Sequence, residues 1–215
     1  QILTTGEVVQ EWLEEVGNYP KGLFKTACAL RQSAPGSTAP KHRREKTSRI
    51  LVALATNFTE HVNTVVFVEQ AIGSVDGFEV RIRPHPAFSL ERVIEAAPLN
   101  NREFFSASPG SLADDMEWAD VVLYATSTVS LEAVSLGLPA VRIDLGDFLD
   151  TDPMFGWDEF KWSVDDPSEL VETIRRIESL PDSEYLDRQK KGQEYTAAYL
   201  RPVTPDSLRL FSEAT

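Results

Sequence analysis

Val121-Val-Leu-Tyr-Ala-Thr-Ser-Thr-Val-Ser-Leu-Glu-Ala-Val-Ser-Leu-Gly-Leu-Pro-Ala-Val-Arg-Ile143 reads as strand, hydroxyl-rich turn, helix and second strand. Val121–Ala125 and Ala140–Ile143 are apolar runs of strand length, and the segment between them, Thr128–Leu136, is helical in pattern. Gly137-Leu138-Pro139 turns the chain out of that helix. Strand, helix and strand on short connections make a βαβ unit, and such units build parallel sheets with right-handed crossovers.

The same alternation extends to both sides. Further strand-length runs lie at Ile50–Ala55, Phe78–Ile82, Glu103–Ser106 and Phe160–Val164. Helical patterns cover Glu60–Ile72, Leu90–Ala96, Ser111–Trp118 and Ser168–Ser179. Ser111 with Asp114 has capping-box spacing, and Asp166-Pro167 sets an N-cap residue before a first-turn proline. The prediction is an α/β fold, a doubly wound, Rossmann-like parallel sheet of about six strands, with extra C-terminal helices at Tyr185–Leu200 and Asp206–Ala214. At the start, Gln1-Ile2-Leu3 reads as a strand. Thr4 and Glu7 read as a second capping box, before a helix carrying Val9, Trp12, Leu13 and Val16. Residues 1–32 form a strand–helix segment between domains, 33–48 a linker, 49–180 the Rossmann-like domain and 181–215 helices that pack back on it. The linker is Pro-, Ser- and Ala-rich, and its basic stretch Lys41-His-Arg-Arg-Glu-Lys46 reads as a solvated loop, with attraction to phosphate or an anionic membrane face as the alternative.

Composition narrows the function. The 215 residues carry a net charge of −13, which argues against a nucleic-acid partner. The single cysteine, Cys28, cannot form an internal disulfide; it reads as a small core hydrophobe in a reducing compartment. No apolar stretch reaches the roughly 20 residues of a membrane span. The chain opens on Gln1, inside a strand-like run, which reads as part of something longer.

In an open parallel sheet, ligands bind beyond the carboxyl ends of the strands, near the reversal of strand order. Three loops there are polar. Thr56-Asn57 precede a helix whose N–H groups attract phosphate, although plain N-capping also explains them. No G-x-G-x-x-G is present, which disfavours an NAD site. Arg83-Pro84-His85-Pro86 holds an imidazole between two prolines, fit to bond a phosphate or polarise a leaving group. His42 and His61 have no such setting. Thr126-Ser127-Thr128 crowds hydroxyls where strand becomes helix, and Thr128, Glu132 and Ser135 then share one helix face. A carboxylate on a mostly apolar helix needs a partner, and a ribose diol is one. A helix cap or an arginine elsewhere is the alternative.

Taken together, the hydroxyl-rich turn, Leu131-Glu132-Ala133 and Gly137-Leu138-Pro139 resemble the donor-site signature of GT-B glycosyltransferases. Arg83–Pro86 is similar to the HP motif of bacterial capsule and surface-polysaccharide transferases, and Thr5-Gly6-Glu7 through Leu30-Arg31-Gln32 to the segment joining their two halves. The resemblance implies the C-terminal, nucleotide-sugar-binding half of such an enzyme. Under it, Glu132 holds the nucleotide ribose, Ser127 and Thr128 with the helix N-terminus hold the phosphates, and His85 is the catalytic group facing the leaving group, beside Arg83. The base rests on the loop Ser106-Ala107-Ser108-Pro109. A glycan or lipid-linked acceptor sits on a missing N-terminal domain, and the setting is cytoplasmic, with peripheral association at the inner face of the membrane. No cofactor or metal is implied, so Asp144, Asp147, Asp150 and Asp152 read as a solvated acidic loop. Rival readings are a sugar-nucleotide epimerase of the same fold, for which no carboxylate dyad can be assigned, and a non-catalytic nucleotide-binding module. A phosphorylated receiver domain would need acidic residues where Leu54-Ala55-Thr56 stands.

Overall fold

The computed structural model describes residues 1–30, 41, 43, 46–146, 149 and 151–213. Most of the linker, His42, Arg31, Gln32, Asp147, Asp150 and Ala214 lie outside them. In chain order the first elements are β1 (Ile2–Thr4), α1 (Glu7–Val16), β2 (Phe24–Thr26), β3 (Arg49–Ala53), α2 (Phe58–Ile72), β4 (Glu79–Arg83) and α3 (Leu90–Ala96). After a 3-10 turn come β5 (Phe105–Ala107), α4 (Leu112–Trp118), β6 (Val121–Tyr124), α5 (Val129–Ser135) and β7 (Ala140–Ile143). Then follow β8 (Lys161–Val164), α6 (Pro167–Ser179), α7 (Asp182–Tyr199) and α8 (Pro205–Glu213).

Six strands form one sheet in the order β5-β4-β3-β6-β7-β8, every pair parallel. That is the doubly wound order, with its reversal between β3 and β6. Both faces are covered, which is why the central strands are apolar throughout rather than alternating. On one face Leu51, Ala53 and Val122 meet Met116 of α4 and Ala133 of α5. Ile50 and Val52 join a larger cluster with Val65 and Val68 of α2 and Ile174 of α6. The capping box at Ser111 and Asp114 forms as expected, and Asp166 caps α6 through Ser168 N–H.

Several expectations need correction. Thr4 does not cap α1; it ends β1, its hydroxyl donates to the Gly6 carbonyl, and Glu7 pairs instead with Arg201. The segment before the linker also holds a strand the sequence hides, β2, which pairs in parallel with β1 as a separate two-stranded sheet. Asp152 is not solvated: it is 5 % exposed, accepts from Tyr124 and the Met154 N–H, and pairs with Lys161 at 2.7 Å. Burial and the adjacent Asp152 charge hold the Tyr124 phenol well above its ordinary pKa.

In the basic stretch before β3, Lys41 and Arg43 are engaged rather than solvated. Lys41 donates to the carbonyls of Met116, Glu117 and Ala119 at the end of α4. Arg43 donates to those of Ile177, Glu178 and Leu180 at the end of α6, and lies over the Tyr185 ring. The last carbonyls of a helix have no partner within it and sit at the negative end of its dipole, so a cation there satisfies both. These two side chains are therefore not available to a membrane face. No helix among the described residues is long and apolar enough to cross a membrane.

Candidate functional site

The carboxyl ends of β3, β4 and β6 open into a cleft of about 950 Å³ at the reversal of strand order. Each strand contributes the loop that follows it: Leu54-Ala55-Thr56, Arg83-Pro84-His85-Pro86 and Thr126-Ser127-Thr128. Glu132 of α5 also faces the cleft, half-buried. Thus Thr56, Arg83, His85, Ser127, Thr128 and Glu132, singled out in three separate stretches, share one cavity. Asn57, Ser106 and Ser108 are not among its lining residues. Asn57 caps α2, accepting from the Thr59 and Glu60 N–H groups. The Ser106 hydroxyl donates to the Val80 carbonyl, and Ser108 is bonded to Arg83 and Asp115.

His85 is partly exposed, and its Nδ1 accepts from the Ala87 N–H at 3.3 Å. In the neutral imidazole the ring proton then resides on Nε2, which is left as a donor. Arg83 is held from behind. Its guanidinium donates to the Ser108 hydroxyl, the Gly110 carbonyl and, at 2.7 Å, the carboxylate of Asp115, which is fully buried. That ion pair fixes the end of β4 to α4. Ser127 is buried and accepts from the Val129 N–H, while Thr128 is exposed at the start of α5. The far wall comes from Leu3, Thr4, Thr5, Cys28, Ala29 and Leu30 near the chain start and from Leu200 and Phe211 near its end. Cys28 is buried, as expected of a small hydrophobe, yet it borders the cleft. Sequence reading missed this wall. Its residues lie about 25 to 160 positions from the loops they face, and no local pattern joins them.

Another participant stands just behind the lining. Glu60, in the first turn of α2, is 7 % exposed and accepts from the Thr126 hydroxyl at 2.7 Å, bridging β3 and β6 across the reversal. Beside it the fully buried His61 places Nε2 at 2.7 Å from the Ala55 carbonyl. Among the described residues no cluster of three His, Cys, Asp or Glu side chains has the arrangement of a metal site.

No family model and no curated protein matches this sequence. Solved structures do. The GtfA/B complex aligns with a TM-score of 0.59 at 16 % identity, over 99 % of this chain and 44 % of that one. S. aureus TarM, solved as a mutant with fondaparinux, alpha-GlcNAc-glycerol and UDP, gives 0.59 at 11 % identity, over 98 % of this chain and 43 % of its own. The spinosyn rhamnosyltransferase SpnG gives 0.56 at 16 %, over 93 % and 54 %. This chain spans about half the length of each. Its fold is that of one Rossmann-like half of a GT-B glycosyltransferase.

Proposed function

We propose that this chain is the donor half of a glycosyltransferase of bacterial surface-polysaccharide biosynthesis, binding a nucleotide sugar in the cleft at the β3/β6 reversal. One observation carries the reading: His85, Ser127, Thr128 and Glu132, from separate strand ends, line one cavity of nucleotide-sugar size. Glu132 accepts both hydroxyls of the ribose, as charge-assisted bonds. Ser127 and Thr128 donate to the phosphates, and His85 Nε2 donates to the oxygen on which charge develops as the sugar departs. Arg83 adds positive charge at the same end, and Thr56 offers a further hydroxyl at the mouth. Asn57, Ser106 and Ser108 serve the donor from behind, by shaping the loops. The chemistry is electrostatic support of the leaving nucleotide, with no cofactor or metal in it. A glycan or lipid-linked acceptor is held by another half, in the cytoplasm at the inner face of the membrane. The surface-polysaccharide assignment is supported by the resemblance of Arg83–Pro86 to the HP motif.

The test is protection of the purified chain from heat by UDP-, CMP-, GDP- and dTDP-sugars. One nucleotide series should raise the melting temperature saturably, and sugar transfer should require the second half. If none of the four protects, the donor reading fails; transfer by these 215 residues alone would overturn the half-enzyme reading.

A further inference from the structure

Three hydroxyls stand in a row at the cleft floor, Thr126, Ser127 and Thr128, and their protons are not equally free. Thr126 donates to Glu60 Oε2 at 2.7 Å. Glu60 is enclosed, at 7 % exposure. Its backbone is pinned by the Asn57 cap, and the next residue, His61, is bonded to the Ala55 carbonyl. Its other oxygen, Oε1, is buried with no hydrogen-bond partner among the described residues. The Thr126 hydroxyl is therefore the bond that satisfies an enclosed carboxylate, and rotating its proton elsewhere would leave that carboxylate bare. No bond of this kind commits the protons of Ser127 or Thr128 among the described residues; Ser127 Oγ only accepts, from Val129.

We infer that Thr126, oriented by Glu60, is an acceptor-only position that recognises a hydroxyl or N–H on the sugar or nucleoside part of the ligand and excludes phosphate. A phosphate oxygen has no proton to give, and Thr126 has none to spare. The carboxylate behind it repels an anion besides. Adjacent hydroxyls thus divide the work: Ser127 and Thr128 donate, Thr126 accepts. Glu60 is a positioning residue, acting through Thr126. This inference rests on the donor-half reading and adds the orientation of the ligand within it.

The experiment measures affinity of the full 215-residue chain for the tightest of the UDP-, CMP-, GDP- and dTDP-sugars, and for the di- and monophosphates of its nucleoside. Thr126→Val should weaken the nucleotide sugar about tenfold, one hydrogen bond's worth, while the affinity ratio of di- to monophosphate stays unchanged. Thr126→Ser should restore the loss, which mere damage to the fold would not predict. If Thr126→Val does not fold because it bares Glu60, Glu60→Gln is measured in its place: its amide can donate to Thr126 and free the hydroxyl proton, so nucleotide-sugar affinity should fall. A fall in the di-to-monophosphate ratio would put the hydroxyl on phosphate, and an unchanged nucleotide-sugar affinity would remove Thr126 from the ligand. Either overturns the inference and leaves the donor reading standing. Absence of binding by the unmutated chain to every one of these ligands overturns both.

Discussion

The two ends of the six-stranded sheet, where helices run into strands and where strands run into helices, are finished differently. At the amino edge, Lys41 and Arg43 close the carbonyl ends of α4 and α6, and Asp120 accepts from the Ser48 and Arg49 N–H groups. The space they leave is about 10 Å³, hardly one water. At the carboxyl edge the strand ends spread around a cleft of about 950 Å³, with hydroxyls, a histidine and a carboxylate turned toward it. Charge at the first edge serves the backbone; on the proposed reading, charge at the second is held ready for a ligand. The contrast then predicts which residues set stability and which set affinity.

Arg83 tests that division hardest, since it lines the cleft and yet holds Asp115. Arg83→Ala would leave a fully buried carboxylate with little but Ser108, and breaking a buried pair in this way costs about 3–5 kcal/mol. Urea unfolding should show that loss. A variant as stable as the parent but blind to nucleotide would place Arg83 with the ligand alone. Arg43→Ala comes next. It removes charged hydrogen bonds to the end of α6 and should cost about 1.5–3 kcal/mol of stability, with nucleotide affinity unchanged. A loss of affinity there would join the two edges, and the comparison would fail.

Glu132→Gln and His85→Ala should behave in the opposite way. Each should weaken nucleotide binding by about 1–3 kcal/mol, a charge-assisted bond's worth, with little change in melting temperature. A deoxyribose ligand should lose a comparable amount against the unmutated chain, and nothing further against Glu132→Gln. Early melting with normal affinity would make either residue structural.

The sheet was legible because its signals are local. Leu51, Val52 and Val122 announce buried strands by themselves, and Gly137, at φ 81°, marks the end of α5 where a side chain would meet Gln189. β2 was not legible: Phe24-Lys25-Thr26 is three residues long, too short for alternation to show. Thr4 and Glu7 matched a capping box by spacing, but spacing does not record that Arg201, 194 residues away, takes the carboxylate. The same distance effect hid the role of Lys41, whose partner at Met116 lies 75 residues on. At the cleft, the loops on strand ends could be read one at a time. The bond from Thr126 to Glu60 could not, because 66 residues separate a helix start from the turn it steadies.

The smallest effect expected is also the most selective probe of the closed edge. Tyr185 of α7 is 5 % exposed beneath Arg43, whose guanidinium carbon lies 4.6 Å from the ring centre. Burial pushes its phenol up to about 12, against the opposing pull of the Arg43 charge. In the unfolded chain a tyrosine titrates near 10. Below about pH 10 both states keep the proton and Tyr185 adds no pH dependence. Between about 10 and 12 the unfolded chain releases the proton while the folded chain retains it, so stability falls as pH rises, by on the order of 1 kcal/mol at pH 11. Tyr124, Tyr195 and Tyr199 are also held above their ordinary value by burial, so the unmutated chain loses more than this one contribution. Tyr185→Phe isolates it: in urea unfolding, the loss of stability between pH 10 and 11 should shrink by about 1 kcal/mol, with no change near pH 8. If the slope is the same with and without the hydroxyl, water reaches Tyr185 in the folded chain. The amino edge would then be open beside Arg43, and the contrast with the cleft would rest on Lys41 alone.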